Sequence, residues 1–143
     1  MRNINIDTLN ALLRGELAAT ETYEQALEKV TAEPQATKLR RVQFEHREAA
    51  NRIRDQLHRL GGNPVNSSGA WGALARMVEG TAKLFGEAAA IRVLKEGEQT
   101  GLHSYEDALE KELAPECKSL IRSALLPQTR EHIHTLDQLI AAQ

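Results

Sequence analysis

The places where the helical pattern stops decide most of what this chain can become. Apolar residues recur at three- and four-residue spacing along most of its 143 residues, and the pattern is cut at Pro34, at Gly61-Gly62-Asn63-Pro64 and ahead of Pro115. The first and last cuts are short turns, so helices one and two, and helices three and four, are expected to form antiparallel hairpins. The middle cut opens a connection of about two dozen residues, enough to travel the length of a bundle. Two hairpins joined by one long crossover predict a single all-α domain, an antiparallel four-helix bundle. Hairpin 1 covers about 7–61, the crossover about 62–86 and hairpin 2 about 87–143. A simple up-down bundle with an extra helix is the alternative.

Asp7 or Thr8 is expected to cap the first helix, which runs to about Thr31 with Leu9, Leu12, Leu13, Ala19, Ala26, Leu27 and Val30 on its apolar side. The second carries Leu39, Val42, Ala49, Ala50, Ile53, Leu57 and Leu60. After a Ser-, Asn- and Gly-rich stretch, Trp71, Leu74, Val78 and Leu84 or Phe85 mark a short extra helix inside the crossover. The third helix spans roughly Glu87 to Leu113, and the fourth starts near Pro115, is interrupted at Pro127 and ends near Gln143.

The two hairpins look like copies. Glu16, Tyr23 and the Ala-Leu-Glu-Lys ending at Lys29 match Glu98, Tyr105 and the same ending at Lys111, and Glu45-His46 is matched by Glu131-His132. On a wheel of about 100° per residue, Glu16 falls at the centre of the apolar stripe of helix one, and Glu98 at the centre of that of helix three. A carboxylate in mid-core is costly unless it is paired, hydrogen-bonded or bound to metal. Helix two offers His46 at the centre of its stripe, with Gln43 one turn back and Glu45 about 100° away on the flank. Helix four points Thr129, His132, Leu136, Leu139 and Ile140 inward.

Glu16, Glu98, His46 and His132, with Tyr23 and Tyr105 nearby, therefore form an inward polar set with two readings. One is a metal site, because carboxylates and imidazoles suit iron, manganese or zinc. The other is a pair of buried hydrogen-bonded Glu–His or Glu–Tyr contacts that fix register with no metal. His58 and His103 fall on outer faces and are expected to be solvated.

On these residues the chain resembles the ferritin-like superfamily, of the bacterioferritin and rubrerythrin type. Glu16 to Tyr23 is similar to the Glu-x6-Tyr pattern of its first helix, Glu98 and Tyr105 repeat it, and Glu131-His-Ile-His134 is a literal Glu-x-x-His. Leu60-Gly-Gly-Asn-Pro64, Leu94-Lys-Glu-Gly-Glu98, Tyr105 to Leu109 and Leu126-Pro-Gln128 resemble more closely a family of small bacterial ferritin-like domains of unknown function. The resemblance implies a ferritin-like four-helix bundle holding mono- or dinuclear iron, or manganese or zinc, in a redox or stress-related role. It implies ligands from Glu16, Glu98, His46, His132, Glu131, His134 and Glu45, with Tyr23, Tyr105, Gln43 and Gln128 hydrogen-bonding around them. The chain departs from the pattern in two places. Helix two carries Gln43-x-x-His46, and Glu131 and His134 face inward only if Pro127 or a π-bulge turns helix four.

Other classes are disfavoured. A net charge of −2 with interspersed signs gives no basic field for nucleic acid. The single cysteine, Cys117, excludes an internal disulfide and a cysteine zinc cluster, and fits a reducing cytoplasm. No apolar run suggests a leader or membrane span. A hydrolase is disfavoured for want of a nucleophile–base pair or phosphate loop. A homo-oligomer, preferably a dimer, is expected. A metal-free bundle that self-associates through Trp71, Met77, Val78 and Phe85 is the competing function.

Overall fold

In a computed structural model describing residues 3–69 and 86–143, every regular element among the described residues is helical. Helix α1 spans Ile4–Lys29. It starts a turn ahead of the expected Asp7 or Thr8 because Asn3 caps it, its side chain accepting from the N–H groups of Asn5 and Ile6. Helix α2 spans Gln35–Arg59. Gly61, at φ +75°, closes it: the Gly61 N–H donates to the His58 carbonyl and the Gly62 N–H to that of Leu57. A left-handed residue at this position makes glycine the fitting choice. Helix α3 spans Glu87–Leu109 and stops a turn short of the expected Leu113.

The fourth long helix is built from α4, Pro115–Leu120, a π-helical turn, Ile121–Leu125, and α5, Leu126–Ala141. Pro127 does not interrupt it. Proline has no N–H to give the carbonyl four residues back, and its ring crowds that carbonyl. The widened turn just before it, where the Leu126 N–H reaches the Ile121 carbonyl, lets the rod run on. The short helix expected between Trp71 and Phe85, and the surface assigned to Trp71, Met77, Val78 and Phe85, lie outside the described residues.

Two apolar clusters flank a polar middle. Leu9 and Leu13 of α1 join Ile53 and Leu57 of α2, Ala108 of α3, and Ile121 and Leu125 of the π turn. Towards the other end, Ala26, Val30, Leu39, Val42, Ile91, Leu94, Leu136 and Leu139 come together. Each fully buried Leu or Ile here stabilises the fold by about 1.5–3 kcal/mol before entropy is counted. The groupings set the directions: the start of α1 meets the ends of α2 and α3. Both therefore run antiparallel to α1 and parallel to each other, so the connection between them has to span the bundle. That is the long-crossover arrangement; an up-down bundle would set α2 against α3.

The α1–α3 face is built with small residues. Gly15 and Gly101 sit mid-helix, and a Cβ added at either meets nothing within 4 Å among the described residues. Neither has the positive φ that needs glycine. Gly15→Ala and Gly101→Ala are each expected to stabilise the fold by roughly 0.5–1 kcal/mol, through helix propensity and a less flexible unfolded chain. Urea midpoints check this; a loss of stability for either variant contradicts an open face.

Candidate metal centre

Four charged or ionisable side chains close on one another between the two apolar clusters: Glu16 (5% exposed), His46 (4%), Glu98 (4%) and His132 (3%). One comes from each long helix, as helical periodicity placed them. His46 is held on both sides. Its Nδ1 lies 2.6 Å from Glu16 Oε2, and its Nε2 lies 2.8 Å from Glu98 Oε1 and 3.1 Å from Glu98 Oε2. The Tyr23 hydroxyl donates to Glu98 Oε2 at 3.2 Å, and the Tyr105 hydroxyl donates to Glu16 Oε1. The matched Glu–Tyr pairs of the two hairpins are therefore exchanged across the bundle, each tyrosine serving the other hairpin's glutamate.

His132 is placed differently. Its Nε2 contacts Glu45 Oε1 at 3.0 Å, and Glu45 reaches solvent at the floor of a cleft of about 510 Å³ between α2 and α5. Its Nδ1 lies 3.2 Å from Glu98 Oε2 without hydrogen-bond geometry, and this buried nitrogen has no partner among the described residues. A neutral imidazole carries one proton. Nε2 has Glu45 as its partner, and Nδ1 faces Glu98 without one.

Charge follows this geometry. Burial disfavours a charged imidazole, but Glu98 and Glu16 outweigh it and hold His46 well above its ordinary value. Burial likewise favours a neutral Glu98, but His46 and His132 outweigh it and bring the carboxyl down to about 2. Burial, and then the adjoining carboxylates, push Tyr23 and Tyr105 up, so both hydroxyls stay protonated as donors.

His46, Glu98 and His132 each offer a donor atom, all within 4.8 Å of one another, and this buried trio can hold a metal ion. Glu16 and Glu45 sit one step outside it. Two residues of the expected set are elsewhere: Glu131 and His134 are exposed, because the turn of helix that buries His132 aims its neighbours outward. The π turn exists, but His132, not the Glu-x-x-His motif, lies at the centre. Gln43 is buried, with its amide donating to the Thr20 carbonyl at 3.0 Å, and Gln128 lines the outer cleft. His58 and His103 are exposed, as expected.

Glycines were missed as part of the site. Gly15 and Gly97 immediately precede the two glutamates, and with Ala19 and Gly101 they line a cavity of about 50 Å³ that borders Glu16, Glu98, His46 and both tyrosines. That is room for a few waters or a small ligand. The signal was visible as the repeated Gly-Glu dipeptide.

A family model described as a domain of unknown function, DUF2383, matches residues 5–111. The chain belongs to that family. The matched stretch holds Glu16, His46, Glu98 and both tyrosines and ends before His132. No curated protein and no solved structure matches the chain. No helix among the described residues is long and apolar enough to cross a membrane.

The two shifted groups give the metal-free protein a defined pH response. His46 contributes fully below its unfolded value near 6.5 and loses that contribution as pH rises through its raised folded value. Glu98 contributes fully above its unfolded value near 4.5 and loses that contribution as pH falls towards about 2. Chelator-treated protein is expected to show its highest urea midpoint between about pH 4.5 and 6.5, and His46→Gln to remove the decline on the alkaline side. A midpoint that keeps climbing above neutral pH contradicts this charge arrangement.

Proposed function

We propose that this chain is a ferritin-like metal-binding protein whose ion is held by His46, Glu98 and His132, with iron the preferred metal and manganese or zinc the alternatives. The observation that carries the reading is His132 Nδ1, buried beside a carboxylate with no hydrogen-bond partner among the described residues. An orphaned buried nitrogen is costly in the metal-free state and becomes a ligand when a cation lies between it and Glu98. The donor set of two imidazoles and a carboxylate suits a first-row divalent ion. The long-crossover topology and the exchanged Glu–Tyr pairs support the ferritin-like reading.

When bound, iron or manganese supplies Lewis-acid or one-electron redox chemistry. The chain's own residues define the surroundings. Tyr23 and Tyr105 hold donated protons on Glu98 and Glu16, and the apolar clusters shield the layer above and below. The cavity between α1 and α3 gives a small molecule a place beside Glu98.

One observation favours a metal-free reading. Both nitrogens of His46 already face carboxylates, so a protonated His46 between Glu16 and Glu98 is a closed network in its own right. The bundle would then act as a structural or interaction module, with self-association as a dimer its expected mode. The two readings separate on ferrous iron. Anaerobic loading followed by desalting is expected to leave stoichiometric iron on the wild type, and less than a tenth of it on Glu98→Ala and on His132→Ala, with circular dichroism confirming folding. A folded wild type that retains no iron, manganese or zinc supports the metal-free network instead.

A further inference from the structure

The geometry points to a site for one ion, not two, in which Glu16 and Glu45 orient the histidines and do not touch the metal. This rests on the metal reading above and says what kind of centre it is. Each histidine has an outer and an inner nitrogen. For His46 the outer Nδ1 is on Glu16 at 2.6 Å and the inner Nε2 is on Glu98 at 2.8 Å. For His132 the outer Nε2 is on Glu45 at 3.0 Å and the inner Nδ1 faces Glu98 at 3.2 Å. A carboxylate on the outer nitrogen keeps the ring proton there and leaves the inner lone pair free for a cation. The arrangement occurs twice, once for the buried histidine of each hairpin, and both inner nitrogens converge on the same carboxylate.

The carboxylate count agrees. A two-metal carboxylate bundle takes a Glu from each of two helices and a Glu-x-x-His from each of the other two. Here the residues three before the buried histidines are Gln43 and Thr129. Both are neutral, and both are already engaged: Gln43 donates to the Thr20 carbonyl at 3.0 Å and the Thr129 hydroxyl to the Leu125 carbonyl at 2.9 Å. Neither position gives a second ion a carboxylate, and among the described residues the converging donor group holds one, Glu98. Glu16 does not supply another: it lies outside the converging trio, with its Oε2 on the outer nitrogen of His46, Nδ1, at 2.6 Å. Two histidines and Glu98 remain, a three-donor set that leaves positions on the ion open to a small exogenous ligand.

Anaerobic ferrous titration of the full chain, with nitric oxide as the probe of the loaded protein, tests this. One iron per chain is expected, and its nitrosyl adduct should give a half-integer-spin EPR signal accounting for one centre per iron. Glu16→Gln and Glu45→Gln should still bind one iron, about 10–100-fold more weakly, whereas Glu98→Gln should bind none. Two irons per chain, a signal quenched by coupling between neighbouring centres, or a Glu16→Gln variant as empty as Glu98→Gln overturns the single-ion site while leaving metal binding standing. A folded wild type that takes up no iron, manganese or zinc overturns both. Circular dichroism of each variant separates a lost ligand from a lost fold.

Discussion

A carboxylate at the centre of the bundle, Glu98, is the constraint around which the other residues are arranged. Leaving it charged and unpaired in an apolar interior would cost far more than a small domain can offset. The chain keeps it ionised by surrounding it from every helix: Tyr23 from α1, His46 from α2, and His132 from α5. Those contacts also constrain the topology. Tyr23 meets Glu98 and Glu16 meets Tyr105, so a rise along α1 is a fall along α3, and only antiparallel helices at this register permit both. The polar layer specifies alignment, and the two apolar clusters on either side supply the bulk of the stabilisation.

Much of this could be read from the residues in order. A period of 3.6 is a strong signal over helices of more than twenty residues, so Glu16, Glu98, His46 and His132 were placed inward correctly from the wheel alone. Connection lengths were enough for the long crossover, because short turns force hairpins and the length between Arg59 and Glu87 permits a traverse. What failed was local. Glu131-x-x-His134 matched a motif but lay off the buried stripe, and the stripe was right. Pro127 looked like a break because a missing N–H is visible in sequence while the compensating five-residue hydrogen bond is not. The contact of Glu45 with His132 depends on how close α2 and α5 stand at one level, which no periodicity within either helix encodes.

The place of Glu16 follows from a similar economy of roles. A second buried carboxylate that never touches an ion is hard to justify as a ligand, yet it has a use with and without metal. In the metal-free cluster it accepts from His46 Nδ1 and balances part of the positive charge held on that ring. In the proposed metal site the same bond keeps the proton on Nδ1 and leaves Nε2 bare. Exchanging the second proton of His46 for a divalent cation would add one positive charge beside Glu16 and Glu98. The same ion would supply the orphaned His132 nitrogen with a partner. Neither change asks a helix to move, because every donor in the trio already lies within reach of the others.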